Sequence, residues 1–82
     1  MNKKEIIDLL KEKIPSDILN TPGKIIDTKE SIISSGLIDS FSLVDLAMLV
    51  EDHLNVVIDD TELNSDTFDN LEQLAELILS KE

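Results

Sequence analysis

The chain has no cysteine, tryptophan or tyrosine among its 82 residues. The lack of cysteine excludes disulfides, cysteine-based zinc sites and a thiol nucleophile encoded in the sequence. One histidine, His53, is too few for a histidine metal cluster. There is also no apolar run of bilayer length, and no signal-peptide core follows the N-terminus, so we expect a cytoplasmic protein that neither crosses nor binds a membrane.

Positive charge is also scarce, and it is unevenly distributed. The formal net charge is −11, and Lys81 is the one lysine or arginine in residues 30–82. Nucleic-acid binding depends on lysine and arginine neutralising phosphates, so nucleic acid is excluded as an expected partner. A partner protein with a basic patch fits this charge best, although acidity also keeps small proteins in solution.

The apolar spacing predicts one all-α domain over residues 1–82, a small bundle of three to four helices. The first helix is predicted from Asn2 or Lys3 to Lys13, where Pro15 ends it by forcing its predecessor out of the helical region. The second is predicted from Ser40 to about Leu54, with Asn55 ending it in a left-handed conformation. Nothing in the pattern requires more than one copy of the chain, so we expect a monomer.

Two further segments are predicted around the last helix. Asp59 or Asp60 caps a short turn over residues 61–64, and Asp69 caps the last helix, with Glu72 completing a capping box. The long segment between the first two helices carries aliphatic residues throughout, which predicts that it is packed on the core and is not a linker. These residues are Ile18, Leu19, Ile25, Ile26, Ile32, Ile33, Leu37 and Ile38.

Asp39 and Ser40 stand at the predicted start of the second helix. Both are favoured capping residues, so capping is the simplest interpretation. The alternative is that Ser40 is modified by a phosphate-containing group, which a helix N-terminus stabilises by about 0.3–1 kcal/mol per charge. No Gly-x-Ser-x-Gly elbow surrounds Ser40, and His53 lies roughly 20 Å along the helix, so a hydrolase is disfavoured.

The second helix has more apolar residues than one buried stripe requires. Leu43, Leu46, Ala47, Val50 and Leu54 form the predicted inward stripe. Phe41, Val44 and Met48 lie on another face at helical spacing, where they belong either to the core or to a docking surface. Acidic residues border that strip, which favours a partner with basic residues; they are Asp45, Glu51 and Asp52.

In the order and spacing of these features, nearly the whole chain resembles the acyl carrier protein family, the phosphopantetheine-binding carrier domains. The family's Asp-Ser-Leu motif falls on Asp39-Ser40-Phe41. The resemblance implies that Ser40 carries 4'-phosphopantetheine, transferred from coenzyme A by a separate phosphopantetheinyl transferase. The thiol of that arm would carry an acyl or aminoacyl group as a thioester, so the chain would be a carrier with no catalytic or metal-binding residues.

The same resemblance implies which enzymes the chain meets. They would be acyl-transferring or adenylating enzymes of fatty-acid, polyketide or specialised acyl metabolism, docking on Phe41, Val44, Asp45, Met48, Glu51 and Asp52. Gly36-Leu37-Ile38-Asp39-Ser40 is longer than the Gly-Ala-Asp-Ser-Leu arrangement of the common fatty-acid type. It is similar to D-alanyl carrier proteins, so one alternative is an aminoacyl carrier loaded by an adenylating ligase. A separate alternative is an unmodified acidic interaction domain that binds a basic partner through Phe41, Val44 and Met48.

Overall fold

The computed structural model describes residues 2–82, which form three α-helices and no β-strand. Helix α1 spans Lys3–Lys13, α2 spans Ser40–Leu54 and α3 spans Leu71–Lys81. A π-helical turn follows α1 at Ile14–Ile18, and a 3-10 turn precedes α3 at Asp60–Glu62. The helices pack into a body of 28 × 25 × 22 Å. The prediction of a small all-α bundle is therefore confirmed.

Helix α1 ends where predicted, but for a different reason. Ile14, the residue before Pro15, keeps right-handed helical angles of φ −62° and ψ −50°. The helical path therefore continues past the proline but widens, and the N–H of Leu19 reaches the carbonyl of Ile14 at 3.0 Å. Proline brings no N–H to this turn, and the wider spacing accommodates its ring. The predicted boundary at Lys13 is correct, whereas the reason given for it is wrong.

A polar residue caps each helix, but the cap of α3 is not the one predicted. The Asn70 side chain accepts a hydrogen bond from the N–H of Gln73 at 2.8 Å, so Asn70 is the N-cap. Asp69 lies one residue outside the helix because its carboxylate is bonded to an earlier segment of the chain. Glu72 does not complete a capping box, since its carboxylate accepts a bond from Lys3 at 3.2 Å.

The core is aliphatic apart from one phenylalanine, Phe68, which is fully buried. The segment between α1 and α2 contributes to it through Ile26, Ile32 and Ile38, each no more than 1% exposed. The prediction that this segment is packed on the core is thus confirmed. Ile25 is an exception at 86% exposed. The inward stripe of α2 is also confirmed: Leu43, Leu46, Val50 and Leu54 are buried and Ala47 is partly buried.

The connection after α2 begins as predicted. Asn55 adopts a left-handed conformation, with φ 57° and ψ 36°, and ends the helix. The chain then buries Val56 and Ile58 on either side of an exposed Val57. Asp59 caps the following 3-10 turn, which begins one residue earlier than predicted and ends at Glu62, not at residue 64.

Candidate functional site

Ser40 is the first residue of α2, and its side chain is exposed. Two buried neighbours fix its place: Ile38, two residues before it, is 1% exposed, and Leu43, three residues after it, is 5% exposed. Anchors on both sides leave the intervening residues little freedom to move away from the bundle surface. The sequence therefore presents one hydroxyl to solvent at a defined point.

Asp39 is the N-cap of α2, which confirms the capping interpretation for this residue. Its carboxylate accepts a hydrogen bond from the N–H of Ser42 at 2.8 Å, and its carbonyl accepts one from Leu43 at 3.0 Å. The bond from the Ser42 backbone is the largest cause that lowers the pKa of Asp39, followed by the bond from the Ser42 hydroxyl. Asp39 is therefore negatively charged near neutral pH, directly beside Ser40.

The surroundings of Ser40 fit a covalently attached phosphodiester. No hydrogen bond within residues 2–82 engages the Ser40 hydroxyl, and solvent reaches it. The amides of the first helical turn are not all available to a phosphate, however, because the Asp39 carboxylate takes that of Ser42. Accessibility of the hydroxyl is thus the feature that suits this site to an attached group, more than anion binding by the helix end.

The geometry does not support a serine hydrolase. Helix α2 runs unbroken from Ser40 to Leu54, so His53 lies thirteen positions after Ser40 on the same helix. That separation corresponds to about 20 Å at 1.5 Å per residue, far beyond hydrogen-bond reach.

The apolar strip of α2 lies on the surface and does not belong to the core. Phe41 is 86% exposed, Met48 57% and Val44 50%. The three acidic residues that border the strip are exposed as well: Asp45, Glu51 and Asp52. Large apolar side chains exposed together on a small protein commonly mark an interaction surface. The six residues expected at a docking surface therefore share the accessible side of α2.

A groove of about 390 Å³ adjoins this strip. It lies where the π-helical turn meets α2 and is open to solvent along its length. Ile18, Met48 and Leu49 supply apolar surface, and the polar lining residues are Asp17, Asp45, Asp52 and His53. The widened turn at Pro15 brings Asp17 and Ile18 to α2, a pairing that no local pattern in the sequence predicts.

A second polar cluster, which we call the Asp69 network, consists of Asp69, Ser31, Ile33 and Ser34. Oδ1 of Asp69 accepts bonds from the N–H groups of Ile33 at 2.8 Å and Ser34 at 2.9 Å. Oδ2 accepts bonds from the hydroxyls of Ser31 at 2.8 Å and Ser34 at 2.5 Å. These bonds, those from Ser34 above all, hold the pKa of Asp69 far below its usual range. No sequence motif predicts this cluster.

Structural roles account for three of the acidic residues between α2 and α3. Asp59 caps the 3-10 turn, Glu62 pairs with Lys81 at 2.9 Å, and Asp69 bonds to the network above. Residues 2–82 contain no group of three or more histidine, aspartate or glutamate side chains placed to hold a metal ion. Over the same range, no helix has both the length and the apolar character needed to cross a bilayer.

Comparison with known proteins agrees with this geometry. A family model described as "Phosphopantetheine attachment site" matches residues 8–78. The D-alanyl carrier proteins of Bacillus pumilus (strain SAFR-032) and Bacillus subtilis (strain 168) are each 30% identical to the chain over 79 residues. Each alignment covers 92% of this chain and 95% of the relative.

The family match covers far more than half of the chain, and both relatives align over nearly their whole length. Members of this family carry covalently attached 4'-phosphopantetheine and meet a phosphopantetheinyl transferase and acyl-handling or adenylating enzymes. They are carriers and not enzymes, and this chain belongs to them as a phosphopantetheine-binding carrier protein.

Proposed function

We propose that Ser40 is the residue to which 4'-phosphopantetheine is attached. The observation that carries this proposal is the exposed, unbonded hydroxyl at the first position of α2. Asp39 immediately precedes it and Phe41 follows, which matches the order of the family motif. The buried anchors Ile38 and Leu43 support the same choice, because they keep the hydroxyl at a fixed point for a modifying enzyme.

The loading step moves the phosphopantetheine half of coenzyme A onto this hydroxyl. Ser40 Oγ loses its proton and forms a bond to phosphorus, the phosphoanhydride P–O bond of coenzyme A breaks, and adenosine 3',5'-bisphosphate leaves. When bound, the group supplies a terminal thiol that carries an acyl or aminoacyl cargo as a thioester. The chain itself contributes the nucleophilic oxygen and its position, while the proton acceptor comes from the transferase.

The exposed strip of α2 is the proposed docking surface for the transferase and for the cargo-handling enzymes. Phe41, Val44 and Met48 offer apolar area that a partner can bury, and Asp45, Glu51 and Asp52 surround it with negative charge. A partner surface that places lysine or arginine around an apolar pocket complements this arrangement. Phe41 stands directly beside the attachment residue, so a partner docked on the strip also reaches Ser40.

The cargo that we favour is a small aminoacyl group such as D-alanine, loaded by an adenylating ligase. Support comes from the two relatives, both named D-alanyl carrier proteins, and from the spacing Gly36-Leu37-Ile38-Asp39-Ser40. Fatty-acyl loading is the competing candidate. The phosphopantetheine-bearing carrier is incubated with ATP and either D-alanine and a D-alanine ligase, or a fatty acid and a fatty-acyl ligase. The mass of the thioester formed distinguishes the two candidates.

The same proposal implies where and how the chain works. Loading requires coenzyme A and its transferase, so we propose that residues 1–82 act as one carrier domain in the cytoplasm. A monomer suffices, because Ser40 and the strip of α2 lie on one chain and no second copy is needed to complete them. Cell fractionation and light scattering of the purified protein test these two points.

Intact-mass spectrometry after incubation with coenzyme A and a broadly specific transferase tests the attachment site. The parent chain is expected to gain one phosphopantetheine group, and Ser40→Ala none. Ser35→Ala is the matched control, since Ser35 is another exposed serine, five residues earlier, and its loss leaves the gain unchanged. A parent chain that gains no mass, or a Ser40→Ala chain that still gains it, contradicts the proposal.

A further inference from the structure

The Asp69 network connects the start of α3 to the segment that leads to Ser40. The carboxylate of Asp69 accepts four hydrogen bonds, and all four come from residues 31–34. The carboxylate makes no hydrogen bond to an amide of α3 within residues 2–82, since Asn70 caps that helix. The side chain of Asp69 is thus dedicated to the earlier segment and not to the helix it precedes.

Two backbone hydrogen bonds extend this connection toward the attachment residue. The N–H of Ile32 donates to the carbonyl of Asp69 at 2.7 Å, and the N–H of Ile38 donates to the carbonyl of Ile32 at 2.8 Å. Between them, Gly36 turns the chain with a φ of 82° while its N–H bonds to the carbonyl of Ile33. Ile38 is only two residues before Ser40, so the network fixes the path by which the chain enters α2.

We propose that Asp69 is a positioning residue for the attachment of phosphopantetheine, acting through residues 31–38 on the position from which α2 presents the Ser40 hydroxyl. This inference rests on Ser40 being the attachment residue. Without the carboxylate, four donors in residues 31–34 lose their acceptor and the segment has more conformations available to it. The hydroxyl then spends less time at the position that in-line attack on phosphorus requires.

This role predicts a specific kinetic pattern. The docking strip of α2 is untouched by a change at Asp69, so the KM of the transferase for the carrier is expected to stay within about twofold of the parent value. The kcat for loading is expected to fall about tenfold, since small misplacements of a reacting group have effects of that order or larger. A variant that is less stable than the parent but still folded in the assay is expected to keep both the KM and the kcat of the parent.

The experiment compares parent, Asp69→Ala and Asn70→Ala in loading by a transferase with coenzyme A, followed by intact-mass spectrometry. Asn70→Ala is the matched control, because it removes the cap of α3 one residue away and leaves the carboxylate of Asp69 in place. Circular dichroism establishes that each variant is folded. If Asp69→Ala does not fold, Asp69→Asn replaces it, since one acceptor oxygen remains and a smaller loss of kcat is expected.

The proposal stands if kcat falls for the Asp69 variant while KM and the Asn70→Ala control stay near the parent. It is overturned by an unchanged kcat, by a rise in KM alone, or by an equal fall in Asn70→Ala. Ser40→Ala in the same assay separates the two proposals. If that variant still gains mass, the attachment site is wrong; if it does not and Asp69→Ala loads like the parent, only the positioning role fails.

Discussion

The carboxylate of Asp69 bonds to Ser34 at two points, through the backbone N–H at 2.9 Å and through the hydroxyl at 2.5 Å. The two residues are 35 apart in the chain, so this pair closes a long loop. The ionised carboxylate accepts such bonds more strongly than the protonated carboxyl does, and the bonds therefore favour the charged state.

A pH dependence of stability follows from this pair. Because the pKa of Asp69 is lowered from its ordinary value of 3.8, its contribution is present above about pH 4 and is lost as the pH falls below that value. Urea unfolding of parent and Asp69→Asn between about pH 7 and about pH 2 measures it. The parent's stability advantage over Asp69→Asn is expected to shrink as acid is added.

The comparison isolates one carboxylate. Asp39, Asp59 and Glu62 also have lowered pKa values, but they contribute equally to both proteins. A difference in unfolding free energy that stays constant over the whole range would contradict the assignment of this pH dependence to Asp69.

Two residues on α2 provide a test of which face is core. Leu46 is fully buried, so Leu46→Ala is expected to lower the free energy of unfolding by about 2–5 kcal/mol. Met48 is 57% exposed, and Met48→Ala is expected to change it by no more than about 0.5 kcal/mol. Urea titrations of both variants measure the contrast. Equal losses would mean that the strip is packed in solution.

The left-handed conformation of Asn55 at the end of α2 predicts which substitutions there lower stability. Asn55 has a φ of 57°, a region that costs β-branched residues about 1–2 kcal/mol. Asn55→Val is therefore expected to destabilise the protein by about that amount, whereas Asn55→Gly is tolerated because glycine has no Cβ. Thermal unfolding followed by circular dichroism compares them. The assignment fails if the valine variant is as stable as the glycine variant.

Negative charge beside the exposed strip of α2 is expected to control partner encounter. Asp45→Lys reverses one charge beside Val44 and Met48 and is expected to raise the KM of the transferase several-fold, with a weaker dependence on salt. Asp66→Lys, an equal change in net charge on the segment before α3, is the control. If both reversals raise KM alike, net charge and not this surface governs the encounter.

Sequence reasoning located α2 and its exposed serine because the information there is local. The apolar spacing of Leu43, Leu46, Val50 and Leu54 predicts one helix face, while the capping preference of Asp39 and the left-handed tolerance of Asn55 predict its two ends. Those choices needed no knowledge of the rest of the chain, and each of them agrees with the structure.

Two of the wrong predictions concern residues whose partners are distant in sequence. Asp69 is as good a cap as Asn70 by preference, and only the donors of residues 31–34 decide that its carboxylate turns away from α3. Glu72 likewise loses its capping role to Lys3, which is 69 residues away. A third wrong prediction is local. Ile14, the residue before Pro15, was expected to leave the helical region, but it is fully buried and keeps helical angles.

Ser40 as the attachment residue is tested most directly by the mass of the chain after incubation with coenzyme A and a phosphopantetheinyl transferase, followed by proteolysis to locate the modification. We expect one added phosphopantetheine group on the peptide that contains Ser40, and none on the Ser40→Ala chain. A group found on Ser35 or Ser42, or no added mass at all, would contradict it.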